Sequence, residues 1–156
     1  MLLLLLAACS TAEDSGPTGT GSPEPRTLRV ERIAAGSPGQ GVQRPLVVVS
    51  PTAEGLSREM DAEIPASGEG TYLVAHAGEQ PTGGYSINVG GAKVEGDLVT
   101  IEFSLKGPPA DAIVTQVLTY PYVVSVIKDL DPAGKEFRFV DGDGERLDWP
   151  IRRVGG

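Results

Sequence analysis

Residues Leu98 to Lys106 alternate without a fault: Val99, Ile101, Phe103 and Leu105 are apolar, and Thr100, Glu102, Ser104 and Lys106 are polar. A period of two sends successive side chains to opposite faces of a strand, so one face of this segment is buried and the other is wet. The chain of 156 residues also holds 21 glycines and 13 prolines, which fall between short apolar segments. Frequent turns between short strands predict an all-β domain. The expected architecture is an antiparallel β-sandwich or small barrel with one short helix.

The remaining segments fit that frame. Thr27 to Ala35 reads as a first strand, with Leu28 and Val30 on one face. Leu46-Val47-Val48-Val49 is a short apolar run, readable as a buried strand. Thr52 is placed to cap the one expected helix, from about Ala53 to Ala62. Thr71 to Ala77 and Tyr85 to Val89 read as strands, the latter with Tyr85, Ile87 and Val89 on one face. Ile113 to Thr119 and Tyr122 to Lys128 read as two more, separated by Pro121. A proline removes a ladder donor, so Pro121 marks a bulge, an edge or a switch between sheets. Lys135 to Val140 and Arg146 to Arg153 read as a last hairpin around Asp141-Gly142-Asp143-Gly144.

The N-terminus has a different composition. Residues 2–8 are apolar but far too short to span a bilayer, which takes about 20 apolar residues. They end in Leu6-Ala7-Ala8-Cys9, and Cys9 is the one cysteine of the chain. This run resembles the lipobox of bacterial lipoproteins, in which cleavage before the cysteine is followed by diacylglycerol transfer to its thiol. The resemblance implies a signal peptide over residues 1–8 and lipidation at Cys9. No Lys or Arg precedes the leucines, which points to a start upstream. An acylated Cys9 leaves the folded part no thiol for a disulfide, a nucleophile or a thiolate metal site. Residues 10–26 contain no large apolar side chain. They read, with Cys9, as a flexible tether, and residues 27–156 as the β-domain.

The net charge is −8 and the pI about 4.6. An acidic chain without a basic cluster is a poor partner for nucleic acid phosphates. It is also a poor electrostatic match for anionic lipids, which leaves acyl chains to hold it at a membrane. The expected location is the cell envelope, lipid-anchored and extracytoplasmic.

Three places invite chemistry. His76 is the one histidine, on the same side of its strand as Tyr72 and Val74; a general base needs a partner and a substrate pocket, and the plain reading is structural. Asp141-Gly142-Asp143-Gly144-Glu145 offers clustered oxygens, but its spacing departs from a twelve-residue calcium loop, and Asp-Gly is a usual hairpin pair. Gly78-Glu79-Gln80-Pro81-Thr82-Gly83-Gly84-Tyr85 is rich in glycine, yet no Lys or helix follows as in a phosphate loop. It reads as a tight strand-to-strand turn in which Pro81 fixes φ and Gly83-Gly84 permit positive φ. No Gly-x-Ser-x-Gly elbow is present. The expectation is a non-enzymatic domain with no cofactor and no metal.

Gly78 to Val89, the strand Leu98 to Leu105, Pro108-Pro109 and Thr119-Tyr120-Pro121-Tyr122 up to Val126 together resemble the C-terminal domain of the protease-complex subunit PrcB family. The resemblance covers Tyr72 to Lys128. The family's namesake is an accessory lipoprotein that stabilises a surface protease. The resemblance therefore implies a membrane-anchored binding or scaffold domain that docks an exported protease or another envelope protein. Pro81, Thr82, Gly83, Gly84, Tyr85, Tyr120 and Tyr122 form the expected contact patch, since tyrosine is favoured at interfaces. The segment Pro81 to Tyr85 is also similar to a loop of chagasin-like cysteine-protease inhibitors, Asn-Pro-Thr-Thr-Gly-Tyr. Gln80 stands where those have Asn, and no Arg-Pro-Trp loop is present. The alternative function is thus a protease inhibitor acting through Gly78 to Tyr85.

Overall fold

The computed structural model describes residues 23–155. Residues 1–22, on which the expected signal peptide, Cys9 and most of the expected tether fall, and residue 156 lie outside them. The elements are β1 (Arg26–Leu28), β2 (Val30–Gly36), β3 (Leu46–Ser50), α1 (Ala53–Met60), β4 (Gly70–His76), β5 (Ser86–Glu95), β6 (Leu98–Lys106), β7 (Tyr122–Lys128), β8 (Glu136–Val140), β9 (Arg146–Leu147) and β10 (Ile151–Arg153). They form two packed sheets, one in the order β1-β5-β6-β8-β9 and the other in the order β10-β3-β4-β7-β2.

The apolar patterns follow from this layering. The first sheet has one buried face, and β6 shows the strict alternation that requires: Val99, Ile101 and Phe103 are buried between the sheets. The second sheet is covered twice. Val47, Val49, Leu73, Ala75, Val123 and Ile127 face the first sheet. Val48, Tyr72, Val74, Val124 and Val126 pack against Ala53 and Leu56 of α1 and against Ile64 in the segment that follows it. Its strands therefore read as continuous apolar runs, as two-sided burial demands. The Thr52 hydroxyl caps α1 by accepting from the Gly55 amide at 3.1 Å.

The sandwich is realised, but its sheets are mixed. β6 runs parallel to β8, and β10 parallel to β3. Between β6 and β8 the chain visits the other sheet as β7, so it returns running in its former direction. No barrel closes: the two hydrogen-bonded ladders stay separate. Two strands nevertheless cross between them. The expected first strand is broken at Arg29, with β1 in one sheet and β2 in the other, and Leu28 and Val30 both meet the shared core. The last arm of the expected hairpin divides likewise. Leu147 pairs with Phe139, Trp149 stacks on Phe103 at 5.3 Å, and Ile151 then pairs with Val47 in the second sheet.

One expected strand does not form. Ile113 to Thr119 lies within the 107–121 crossover from β6 to β7, and only Thr119 makes a bridge, to Gln80. Pro108-Pro109 and Pro121 bracket the segment. Of the three readings of Pro121, the switch between sheets is the one found.

The strand directions define two ends. The chain enters at Arg26, opposite Val94, beside the β5–β6 turn, where Pro23 lies against Gly96. At the far end, loops 37–45, 77–85 and 107–121 join the strands.

Candidate functional site

The far end holds the family-like loop, and short hydrogen bonds weave it together. Gln80 and Thr119 exchange backbone bonds at 2.8 and 3.0 Å. The Gly83 amide donates to the Thr115 carbonyl at 3.0 Å, and the buried Thr119 hydroxyl donates to the Thr82 carbonyl at 2.7 Å. The Tyr120 hydroxyl donates to Glu79 Oε2 at 2.8 Å, while its amide donates to Pro38 on the third loop. That bond to a carboxylate raises the Tyr120 pKa above its ordinary value. Loops 37–45, 77–85 and 107–121 thus form one braced cluster.

The glycines are explained by close packing. Gly84 has φ +87°, and a Cβ there would stand 2.9 Å from Pro108. A Cβ on Gly83 would meet the Thr115 hydroxyl, and one on Gly41 would stand 2.7 Å from the Tyr120 Cβ.

The expected patch is only partly assembled. Pro81 and Gly84 are exposed, and Thr82, Gly83 and Tyr85 are half-buried against the 107–121 crossover and Gly107. Tyr120 belongs to the same cluster through Glu79. Tyr122 does not share those contacts. It opens β7 on the outer face of the second sheet, packed beside Gly36 and 6.2 Å from the His76 ring. Cys9 lies outside the described residues.

The most exposed apolar side chains of this end are ones the sequence assigned to a strand. Ile113 is fully exposed, and Val117 and Leu118 about half. Full burial of such a side chain is worth about 1.5–3 kcal/mol, a gain left unrealised here. Among the described residues, this segment makes one bridge, Thr119 with Gln80, and joins neither sheet.

The other two candidates lie elsewhere in the sandwich. His76 packs near Tyr122, and burial is the main cause that lowers its pKa; the positive charge of Arg152 adds to this and Glu59 opposes it. The Asp141 carboxylate is used by its own turn, accepting from the Asp143 and Glu145 amides at 2.9 Å each. Among the described residues, no group of three or more His, Cys, Asp or Glu side chains is placed to hold a metal ion. Among them also, no helix is long and apolar enough to cross a membrane.

Comparison with known proteins adds one finding. Residues 71–128 match the protein-family model described as PrcB C-terminal. No curated protein and no solved structure matches the chain. The matched segment is a structural unit: it opens and closes at neighbouring residues, since Thr71 on β4 pairs with Ile127 on β7. It contains β4 to β7, the 77–85 loop and the whole 107–121 crossover. The Pro-Thr-Gly-Gly-Tyr and Tyr-Pro-Tyr runs both lie within the residues that match this model.

Proposed function

We propose, from the PrcB C-terminal segment at residues 71–128, that this protein is a lipid-anchored, extracytoplasmic and non-catalytic domain that docks a protease complex at the envelope. One observation carries the reading. The chain enters the sandwich at Arg26, and the braced loops with Ile113, Val117 and Leu118 lie at the opposite end. A domain held through Cys9 and a tether would present that apolar end away from the membrane. Exposed apolar side chains clustered on a rigid support are the usual mark of a protein-binding surface.

The test separates anchor from docking. Cys9→Ala moves the protein from the membrane fraction to the soluble fraction, and mass spectrometry of the parent N-terminus finds the acyl chains. The triple variant Ile113→Ser, Val117→Ser and Leu118→Ser stays at the membrane but no longer co-purifies with an envelope protease. Unchanged co-purification by the triple variant would remove the docking end.

The alternative, a protease inhibitor acting through Gly78 to Tyr85, is favoured by the bracing of that loop around the exposed Pro81. A panel of cysteine and serine proteases separates the two, because a docking domain leaves their rates unchanged.

A further inference from the structure

The 107–121 crossover carries a strand sequence without a strand. Ile113-Val114-Thr115-Gln116-Val117-Leu118-Thr119 is rich in β-branched residues, which favour pleated structure. It runs along the 77–85 loop, and among the described residues its hydrogen bonds to that loop are made by the Thr115 carbonyl and Thr119. Among the described residues, the amides from Ile113 to Leu118 donate to no protein acceptor. Unpaired backbone donors and exposed apolar side chains thus coincide on one short segment. Its ends are fixed: Pro109 accepts from Ala112 at 3.0 Å, and Thr119 is buried and bonded to Gln80 and Thr82.

We infer that Ile113 to Leu118 is a docking strand, completed when an extended segment of a partner protein pairs with its free backbone groups. This rests on the docking reading above and adds the mode of recognition. Strand addition draws affinity from main-chain hydrogen bonds and selectivity from alternate side chains. The partner segment is extended, apolar at alternate positions and free of net negative charge. The last property follows from the charge of −8 on this chain, which also disfavours a second copy as the occupant.

The test uses the full chain in its own cells, with a photo-cross-linking amino acid in place of Ile113 and two further variants. Val117→Pro removes one amide hydrogen, and Val117→Ala removes most of a side chain while keeping that hydrogen. Neither should shift the thermal midpoint of the isolated protein, because this amide donates to no acceptor among the described residues. The expected result is a cross-link of constant mass in the parent that falls at least about tenfold in Val117→Pro and less than about threefold in Val117→Ala. A cross-link kept at full yield in Val117→Pro overturns strand pairing and leaves the docking reading standing. An adduct of twice the chain's own mass overturns the foreign partner in favour of a second copy. No adduct in the parent removes the docking reading and this inference with it.

Discussion

Gly83 gives its amide hydrogen to the carbonyl of Thr115 at 3.0 Å, and its missing side chain leaves room for the Thr115 hydroxyl. This contact joins the family-like loop to the exposed crossover. The neighbouring glycine answers a different demand. Gly84 sits at φ +87° against the rigid ring of Pro108, whereas the Thr115 hydroxyl beside Gly83 can rotate away.

The two alanine variants should therefore differ. Gly84→Ala incurs the left-handed penalty of about 1–2 kcal/mol for a residue with Cβ, and its contact with Pro108 adds to that. Gly83→Ala should cost less than about 1 kcal/mol, the net worth of one hydrogen bond. Urea denaturation of both checks the order, and equal losses would show that the left-handed backbone at Gly84 does not govern the loop.

Tyr72 is buried under α1, and its hydroxyl accepts from the Ser67 amide and donates to the Gly68 carbonyl, both at 2.7 Å. It pins the segment that leads from α1 back into β4. Tyr72→Phe leaves both backbone groups without this partner, and should destabilise by about 1–3 kcal/mol. The protein should keep its fold, with faster amide exchange at Ser67. Unchanged stability in urea would count against the pin.

Ser125 stands between Val124 and Val126 on β7, fully buried, and among the described residues its hydroxyl has no hydrogen-bond partner. A buried polar group without a partner costs free energy that alanine does not. Ser125→Ala should leave stability unchanged or raise it by up to about 1 kcal/mol, read as a higher thermal midpoint. A loss above about 1 kcal/mol would mean that the hydroxyl is satisfied in solution.

His76 has a pKa lowered by burial and, secondarily, by Arg152. Between that value and the ordinary 6.5 the unfolded chain binds more protons than the folded one. This contribution to stability is complete above pH 6.5 and is lost as pH falls towards the folded value. His76→Gln should flatten the dependence of stability on pH in that window. Denaturation midpoints between about pH 5 and 7.5 measure the slope, and an equal slope in the variant would remove His76 as its source.

Much of the fold was legible because burial leaves a local pattern. The alternation of Leu98 to Lys106 marked β6 to the residue, and the unbroken run Leu46 to Val49 marked a buried strand. Thr52 marked the start of α1. At the far end, the run Gly78 to Tyr85 was legible as a connection between strands, but it passes from one sheet to the other, and Gly84 adopts positive φ while Gly83 does not. Ile113 to Thr119 was misread as a strand because strand preference is local, whereas strand formation requires a neighbour with free hydrogen-bonding groups.

The sequence by itself determined the all-β class, the helix start, the turn residues and the PrcB-like segment, all of which depend on residues near one another in the chain. Only the tertiary structure decided which strands share a sheet, that β6 and β8 run parallel, and that β1–β2 and β9–β10 cross between sheets. It alone placed the exposed apolar crossover opposite the entry of the chain at Arg26. The reason is physical: side-chain periodicity reports which face is buried, but nothing in it names the partner that does the burying.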